Sequence, residues 1–317
     1  MSDELRAITE ADLAELYEVQ RRAEIYDKVP LVTPWEEFEE VKDDPATNLA
    51  ADSVMVLRDN RAIGFGRVWY RSSDDGDHAR AFMMGAVDPP FRRQGVGSQI
   101  LEWTMARGRE AMSTAPPEQE RFLRTFAFDF EHETIALYER HGLKPIRYFA
   151  ELVRPLPEAI AVFAVEGVEI TGWDPKRAEE VRQVMNLAFR DHWGTTPIDP
   201  ASWEHRLGGA GTRLDLSYLA VFDDNVVGAC LNAHFPDDQE VTGRLDGIID
   251  QLGTHPGYRK RGIASALIET SCERFRQLGW DHAMLGVDSD NPTGAYHLYQ
   301  RLGFQPLHRS LQHQLQV

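Results

Sequence analysis

Residues 253–267 read Gly-Thr-His-Pro-Gly-Tyr-Arg-Lys-Arg-Gly-Ile-Ala-Ser-Ala-Leu, and the rest of the chain is organised around them. They run from the end of an apolar, strand-like segment through a basic glycine turn into a helix. The first amide groups of a helix have no partner within the helix, and the helix dipole favours negative charge at that end. Because the turn also carries two arginines and a lysine, the stretch predicts an anion-binding site at a strand-to-helix junction.

An earlier stretch repeats this arrangement, since residues 87–98 read Val-Asp-Pro-Pro-Phe-Arg-Arg-Gln-Gly-Val-Gly-Ser. Other features recur at nearly the same distance, which is 167 residues for the loop arginine, 168 for a tryptophan, 164 for a glycine and 161 for a tyrosine. The pairs are Arg92 and Arg259, Trp35 and Trp203, Gly64 and Gly228, and Tyr138 and Tyr299. This spacing predicts two copies of one mixed α/β domain at residues 1–154 and 155–317, joined by a stiff, proline-containing connector.

The composition restricts the class of protein. Of 317 residues, 34 are lysine or arginine and 51 are aspartate or glutamate, so the net charge is −17. This charge argues against nucleic-acid binding, which depends on phosphate neutralisation, and is explained by solubility or by a cationic acceptor. No apolar run approaches membrane-spanning length, the start lacks a signal peptide's order, and two cysteines exclude a disulfide framework. We expect a cytoplasmic enzyme, a monomer or homodimer, without nucleic-acid, membrane or metal partners.

The glycine loop alone leaves several phosphate-binding classes open. A P-loop requires Gly-Lys-Ser/Thr at its end, which neither copy has, and a dinucleotide-binding fingerprint requires a third glycine where Ile100 stands. The remaining pattern, Arg-x-x-Gly-x-Gly/Ala, is moderately specific. A helix start with exposed basic residues also explains it.

A second motif narrows the assignment. Each loop is followed by Leu-Tyr-x-Arg-x-Gly, at residues 137–142 and 298–303, on a short helix after the next strand. Together these features resemble the GNAT superfamily of N-acetyltransferases over nearly the whole chain, and the tandem arrangement is similar to mycothiol synthase. The resemblance implies an α/β fold with two tandem GNAT-like domains. Each would be a mostly antiparallel mixed sheet with one parallel strand–helix–strand crossover, flanked by helices.

The resemblance implies that each loop holds the pyrophosphate of acetyl-CoA with its amides and basic side chains. In the second copy these residues are Arg259, Lys260, Arg261, Gly262, Ile263, Ala264 and Ser265. In the first copy they are Arg92, Arg93, Gln94, Gly95, Val96, Gly97 and Ser98.

The family also implies contacts with the pantetheine arm. The strand before the loop would splay from its neighbour and pair its backbone with that arm, through Leu252, Gly253 and Thr254, and through Val87 in the first copy. A free amide near Leu252 would polarise the thioester carbonyl and stabilise the oxyanion. Asn291 matches an asparagine that commonly contacts pantetheine in the family.

Two side chains are candidate catalytic residues. By the resemblance, Tyr299 would protonate the departing thiolate, whereas a core aromatic is the alternative interpretation. The acceptor amine must lose a proton before attack, and Asp250, directly or through water, would remove it; Asp246 shares that face of the strand. Asp250 is alternatively a polar residue at the strand's edge. The strand predicted at residues 81–87 in the first copy has no ionisable side chain, so we expect the second domain to be catalytic, with Tyr138 structural or a coenzyme contact in an idle site.

The acceptor pocket is predicted from the segment between the first two helices of the second copy. Its candidate lining residues are Asp191, His192, Trp193 and Trp203, although both tryptophans are equally explained by packing. The sequence thus predicts an acetyl-CoA-dependent N-acetyltransferase of a small-molecule primary amine, with direct transfer and no acyl-enzyme. The alternatives are a non-catalytic acyl-CoA sensor and a protein or peptide N-acetyltransferase. We expect His255 to cap the turn and Cys230 to be a core residue.

Overall fold

A computed structural model describes residues 3–30, 32–42, 48–70, 78–190, 197–209, 211–289 and 295–317. The chain divides into two compact units. The first unit comprises residues 1–148 and 309–317, and the second comprises residues 149–308.

Both halves of the chain contain strands and helices. The strands are β1 (Glu4–Ala7), β2 (Ser53–Arg58), β3 (Arg61–Tyr70), β4 (His78–Val87), β5 (Glu120–Phe128), β6 (Lys144–Pro155), β7 (Glu169–Gly172), β8 (Tyr218–Phe222), β9 (Asn225–Ala233), β10 (Asp246–Thr254), β11 (His282–Asp288) and β12 (Gln305–Gln316). The helices are α1 (Leu13–Asp27), α2 (Trp35–Glu39), α3 (Leu49–Asp52), α4 (Val96–Ala111), α5 (His132–Arg140), α6 (Ala178–Phe189), α7 (Pro200–Leu207), α8 (Asp238–Thr242), α9 (Ile263–Gln277) and α10 (Ala295–Arg301). None of these helices, within the described residues, combines the length and apolar character needed to span a bilayer.

The sheet of the first unit is mixed. Strands β1 to β4 pair antiparallel in sequence order, and β4 pairs in parallel with β5 through the crossover helix α4. On the other side of β5, residues Ser310–Gln316 of β12 pair antiparallel with Phe128–Phe122.

The sheet of the second unit has the same order. Strands β7 to β10 pair antiparallel, and β10 pairs in parallel with β11 through α9. Residues Phe149–Pro155 of β6 then pair antiparallel with Asp288–His282 of β11. The predicted mixed α/β fold with a parallel crossover in each half is therefore confirmed.

The final strands of the two halves are exchanged. Strand β6 ends the first sequence copy but pairs in the second unit, and β12 ends the second copy but pairs in the first unit. The compact units therefore differ from the contiguous ranges 1–154 and 155–317 that the repeat predicts. The repeat cannot show the exchange, because β6 and β12 are equivalent strands and either could complete either sheet.

The two faces of the second sheet pack against different helices. On one face, α9 packs so closely that a Cβ on Gly247 would lie 2.4 Å from the ring of Phe275, and Cys230 of β9 belongs to this core. On the other face, Met185 of α6 packs with Leu231 of β9. This alternation along β9 follows the two-residue period of a strand and fixes which face each side chain of the site occupies.

The exchange predicts where a truncated chain loses protection. Ending the chain after His308 should raise hydrogen-exchange rates of the β5 amides at least about tenfold, because β5 then keeps only its short pairing with β4. The β9 amides should be unaffected, and mass spectrometry of peptides from both strands measures this. Leu315→Ala provides a milder version if the truncated chain does not fold. Loss of protection in β9 instead of β5 would contradict the exchange.

Candidate active site

The two glycine loops have the same backbone conformation. Lys260 and Gly262 have φ values of 64° and 88°, and Arg93 and Gly95 have φ values of 61° and 90°. Each glycine is the N-cap of the following helix, α9 or α4. Left-handed residues in such a turn aim successive amides into one concavity, which binds anions. Both loops therefore have a backbone suited to phosphate.

The first arginine of each loop anchors the loop to a helix. In the second unit, Arg259 Nη2 donates to the carbonyl of Ala188 at 2.8 Å. In the first unit, Arg92 forms two hydrogen bonds with the carboxylate of Asp27, at 2.6 and 2.7 Å, which raise the pKa of Arg92. The charge of Arg92 is therefore balanced within the protein, whereas that of Arg259 meets a neutral carbonyl.

The other polar side chains of the loops differ in what they contact. The guanidinium of Arg261 lies over the ring of Tyr258, 5.0 Å from its centroid. Gln94 instead bonds to the carbonyl of Pro90 and to Arg58. His255 accepts a hydrogen bond from the Gly257 amide at 3.1 Å, so its predicted capping role is confirmed.

The strand before each loop splays from its parallel neighbour, as predicted. Strand β10 pairs with β11 only over Asp246–Ile248 and His282–Met284, although both strands continue for several residues. In the first unit the pairing of β4 with β5 ends at Phe82 and Arg124. A V-shaped opening with unpaired backbone edges follows in each case.

The direction of the amides along β10 can be derived from one hydrogen bond. The amide of His255 donates to the carbonyl of Val227 on β9, at 2.8 Å. Since amide directions alternate along a strand, the amides of Leu252 and Thr254 point away from β9, into the opening. Two side-chain oxygens of this segment, Gln251 Oε1 and Thr254 Oγ1, are buried without a partner among the described residues. The opening thus offers unsatisfied polar groups to an extended ligand.

A β-bulge distinguishes the second unit from the first. The register between β9 and β10 shifts between Ile249 and Gln251, which places Asp250 in the bulge. The corresponding pairing of β3 with β4 runs without a shift. A bulge bends its strand and re-aims a side chain. The bulge could not be predicted from the sequence, because one additional residue leaves no pattern of its own.

Asp250 lies on the face that carries α6 and α7. Its carboxylate Oδ2 is 4.0 Å from Nη1 of Arg206 on α7, and its side chain is 49% exposed. The surrounding protein raises the pKa of the Asp250 carboxyl above its usual range, and Arg206 only partly offsets this. Arg206 was not predicted from the sequence. Its only signal there is its position on a predicted helix, three residues after Trp203.

Asp246, the other acid on this face of β10, is committed to an ion pair with Arg244. It is 7% exposed, and its carboxylate contacts Arg244 at 2.9 Å and His282 at 3.3 Å. It also lies in the paired part of the strand, before the opening. Asp250 is therefore the acid of β10 that is available to a ligand.

The two motif tyrosines have different environments. Tyr299 is 9% exposed, its burial raises its pKa above the usual range, and its hydroxyl bonds to no residue that the structure describes. The hydroxyl of Tyr138 accepts from Thr125 at 3.1 Å and donates to the carbonyl of Phe126 at 3.4 Å. Burial raises the pKa of Tyr138 to about 12. The expected structural role of Tyr138 agrees with these bonds.

The strand before the first loop begins earlier than predicted. It starts at His78 and so includes His78 and Arg80, whereas the sequence pattern predicts a start at Ala81. These two side chains lie in the part that pairs with β5. The segment beside the opening, residues 83–87, still has no ionisable side chain.

Part of the predicted acceptor pocket can be located. Trp203 is 3% exposed and its indole donates to the carbonyl of Ala178 at 2.9 Å, which favours packing over contact with a ligand. Asp191, His192 and Trp193, and also Asn291 of the predicted coenzyme site, lie outside the described residues. Among the residues that are described, no cluster of histidine, cysteine and acidic side chains fits a metal ion.

Comparisons with known proteins agree with this geometry. The acetyltransferase (GNAT) family model matches residues 178–304, and a model of the acetyltransferase (GNAT) domain matches residues 50–145. Mycothiol acetyltransferase of Salinispora arenicola is 30% identical over 69% of this chain and 68% of that protein. That of Rhodococcus erythropolis is 26% identical over 82% and 83%. A GCN5-related N-acetyltransferase structure from Sphaerobacter thermophilus has a TM-score of 0.76 at 23% identity, covering 99% of this chain and 95% of that one.

These matches cover both halves of the chain, and the Rhodococcus erythropolis relative is covered over a similar share of its own length. The glycine loops, the two splayed strand pairs and the motif tyrosines fall within the matched regions. The chain therefore belongs to the acetyltransferase (GNAT) family and is an acyltransferase built from two such domains in tandem.

Proposed function

We propose that the chain is an acetyl-CoA-dependent N-acetyltransferase that acts on a primary amine of a small molecule through its second unit. The observation that carries the proposal is the presence together in that unit of an anion-binding loop, a splayed strand pair, a bulged acid and a tyrosine hydroxyl that bonds to no described residue. The relatives named mycothiol acetyltransferase support a small-molecule acceptor.

The second unit has groups that fit acetyl-CoA, which supplies an acetyl thioester when bound. The loop amides from Lys260 to Ser265 would hold the pyrophosphate at the start of α9. The amides of Leu252 and Thr254 point into the opening, where they would bind the pantetheine arm and the thioester carbonyl. This use of the backbone explains why β10 leaves β11 after only three paired residues.

Asp250 and Tyr299 would move the protons. Asp250 accepts a proton from the acceptor nitrogen, directly or through a water, because its bulge and Arg206 hold the carboxylate at the mouth of the opening. Tyr299 stays protonated at neutral pH because its pKa is raised, and it donates its proton to the departing sulfur. Burial raises the pKa of Cys230 to about 12, and it also raises that of Cys272. These inert thiols support direct transfer without an acyl-enzyme.

The first unit is proposed to be non-catalytic. Its loop arginine is neutralised by Asp27, its motif tyrosine is bonded to Thr125, and its strand β4 has neither a bulge nor an acid at the opening. The first half of the sequence supplies β6 to the second sheet, which gives that half a structural reason to be present.

A panel of primary amines tests the proposal. Thiol release from acetyl-CoA is measured for amino acids, amino sugars, polyamines and cysteinyl amines, with calorimetry of coenzyme binding alongside. We expect a small-molecule amine to support turnover and one coenzyme equivalent to bind tightly. Two bound equivalents without thiol release from any amine would favour the sensor, and turnover confined to peptide amines would favour the protein or peptide acetyltransferase.

A matched glycine pair identifies the unit that binds the coenzyme. Gly262→Ala should weaken coenzyme A binding about tenfold, because alanine at φ 88° costs about 1–2 kcal/mol and relaxes the loop that binding must restore. A Cβ at Gly262 would meet no atom nearer than 3.4 Å, and one at Gly95 would meet none within 4 Å. Gly95→Ala therefore introduces the same strain without a clash and should leave calorimetric affinity unchanged. The reverse result would place the coenzyme in the first unit.

A further inference from the structure

Glu151 is an acid that the exchanged strand β6 brings into the second sheet. It lies opposite Gly286 in the antiparallel pairing of β6 with β11. Its neighbours Ala150 and Leu152 are buried in the core beneath α9. Since successive residues of a strand face opposite sides, Glu151 lies on the other face of the sheet, which is the face of Asp250.

The carboxyl of Glu151 lies over the bare backbone of Gly286. Both carboxyl oxygens would be 3.5 Å from a Cβ built on Gly286, so the side chain leans toward β11 and toward the opening. A Cβ at position 286 would be in ordinary van der Waals contact with this carboxyl, so only a side chain longer than that of alanine would compete for the space. The glycine thus leaves the space beside β11 open to the acid.

Asp250 on β10 and Glu151 on β6 flank strand β11 from its two sides, both near the level of Gly286. The last parallel pair is Ile248 with Met284, and two residues further along are Asp250 on β10 and Gly286 on β11. Glu151 is opposite that glycine from β6. Both carboxyls therefore lie on the same face of the sheet, at the level where the strands separate.

The first unit lacks this pair at the equivalent positions. Its last parallel pair is Phe82 with Arg124, and two residues further along are Met84 and Phe126. Gln312 of β12 is opposite Phe126. Met84, Phe126 and Gln312 thus occupy the positions of Asp250, Gly286 and Glu151, and none of them is ionisable.

Glu151 has no hydrogen bond or ion pair with a residue in the described part of the chain. Burial alone raises the pKa of its carboxyl to about 7. By strand alternation, the titratable and charged side chains that the described strands place on this face are Arg147 from β6, His282 and Asp288 from β11, and Asp246 and Asp250 from β10, and Arg206 of α7 contacts Asp250. An unpaired acid of this kind is costly to keep, so a ligand that neutralises it is the expected occupant.

We propose that Glu151 binds the ammonium group of the acceptor and takes the first of the two protons that its nitrogen must lose. This inference rests on the proposed function. It adds a second acid to the acceptor site, and it makes a cationic amine the substrate class.

The proton balance uses each group once. The ammonium gives one proton to the Glu151 carboxylate, and the freed lone pair forms the C–N bond as the C–S bond breaks. The second nitrogen proton passes to Asp250, while Tyr299 gives its proton to the sulfur. The proton on Asp250 restores Tyr299 through solvent, and Glu151 releases its proton, so one proton leaves per acetyl transferred.

The pH dependence of kcat/KM for the fastest amine of the panel tests this role. In the wild type the acid limb should rise to a plateau above about pH 7. In Glu151→Gln the value at pH 7 should fall on the order of tenfold, less than for a sole base because Asp250 remains. Above pH 7, kcat/KM of this variant should keep rising with pH toward the amine's pKa of about 10, since only free amine reacts with it. Glu151→Asp should retain the plateau.

Further readouts separate this role from a structural one. Coenzyme A affinity should not change, and the exposed Glu158→Gln should match the wild type. An unchanged plateau and a rate within about twofold in Glu151→Gln would overturn the inference while leaving the proposed function intact. If no amine supports turnover in the wild type, the proposed function fails, and carbon-13 NMR titration of Glu151 with propylammonium decides the binding role. If propylammonium lowers the pKa of the Glu151 carboxyl, the binding role is supported. If the pKa is unchanged, the binding role is overturned.

Discussion

Replacing Tyr299 with phenylalanine is expected to lower kcat for acetyl transfer roughly 10²-fold, the scale of a lost general acid. The hydroxyl is the only atom removed, and it bonds to no described residue, so the substitution breaks no hydrogen bond within that part of the fold. Coenzyme affinity and thermal stability should therefore be nearly unchanged. Thiol release at saturating amine and calorimetry with coenzyme A measure the two quantities separately.

The first unit supplies the matched control for this variant. Tyr138→Phe removes the corresponding hydroxyl, which bonds to Thr125 and to the Phe126 carbonyl. It should lower the melting temperature, because a buried hydrogen bond contributes about 1 kcal/mol, and it should leave kcat unchanged. A loss of kcat in Tyr138→Phe with none in Tyr299→Phe would assign catalysis to the first unit.

The loops and the motif tyrosines could be predicted from sequence because their signals are local. A glycine that needs positive φ, an unsatisfied helix start and an apolar strand before it all lie within fifteen residues of one another. The repeat then supplied an internal comparison, and the matching φ values of Lys260 with Arg93 and of Gly262 with Gly95 confirm it at the level of the backbone.

Features that depend on distant partners could not be predicted in the same way. Asp27 precedes Arg92 by 65 residues, so the neutralised charge of the first loop is invisible in its own motif. Glu151 looks like an ordinary outward-facing acid of an alternating strand. Its position opposite Gly286 is seen only when β6 is paired with β11. A division of the sequence into two contiguous domains does not pair these two strands, because the final strands are exchanged.

The asymmetry between the two units arises from a small number of substitutions on a shared backbone. Strand β10 carries Asp250 in a bulge, and Met84 stands at the same level of β4 without a bulge. Both openings and both loops persist, so the architecture for an extended ligand is common to the two units. Within the described residues, the acid beside the opening is found only in the second unit, and we propose that it handles a proton there.

Replacing Asp250 with asparagine is expected to lower kcat/KM roughly 10²-fold while leaving coenzyme affinity unchanged, because the amide cannot accept the nitrogen's proton. The stability of the folded protein, in contrast, should not fall. A carboxyl whose folded-state pKa is raised destabilises the fold when ionised, progressively as pH rises from its unfolded pKa to its folded one. Removing that charge should therefore leave the melting temperature at pH 7 unchanged or higher.

Asp246→Asn is the control on the same strand and the same face. It breaks the buried contacts with Arg244 and His282, so it should destabilise the fold by about 3 kcal/mol and change kcat/KM little in the folded protein. Kinetics and thermal melts at pH 7 should thus give opposite patterns for the two variants. Asp250→Asn loses activity and keeps its stability, whereas Asp246→Asn loses stability and keeps its activity. Low activity with undiminished stability at Asp250 identifies a group retained for its chemistry, because a residue that served the fold would lose both together. Loss of activity at Asp246 but not at Asp250 would move the base to the paired part of the strand and remove the bulge from the mechanism.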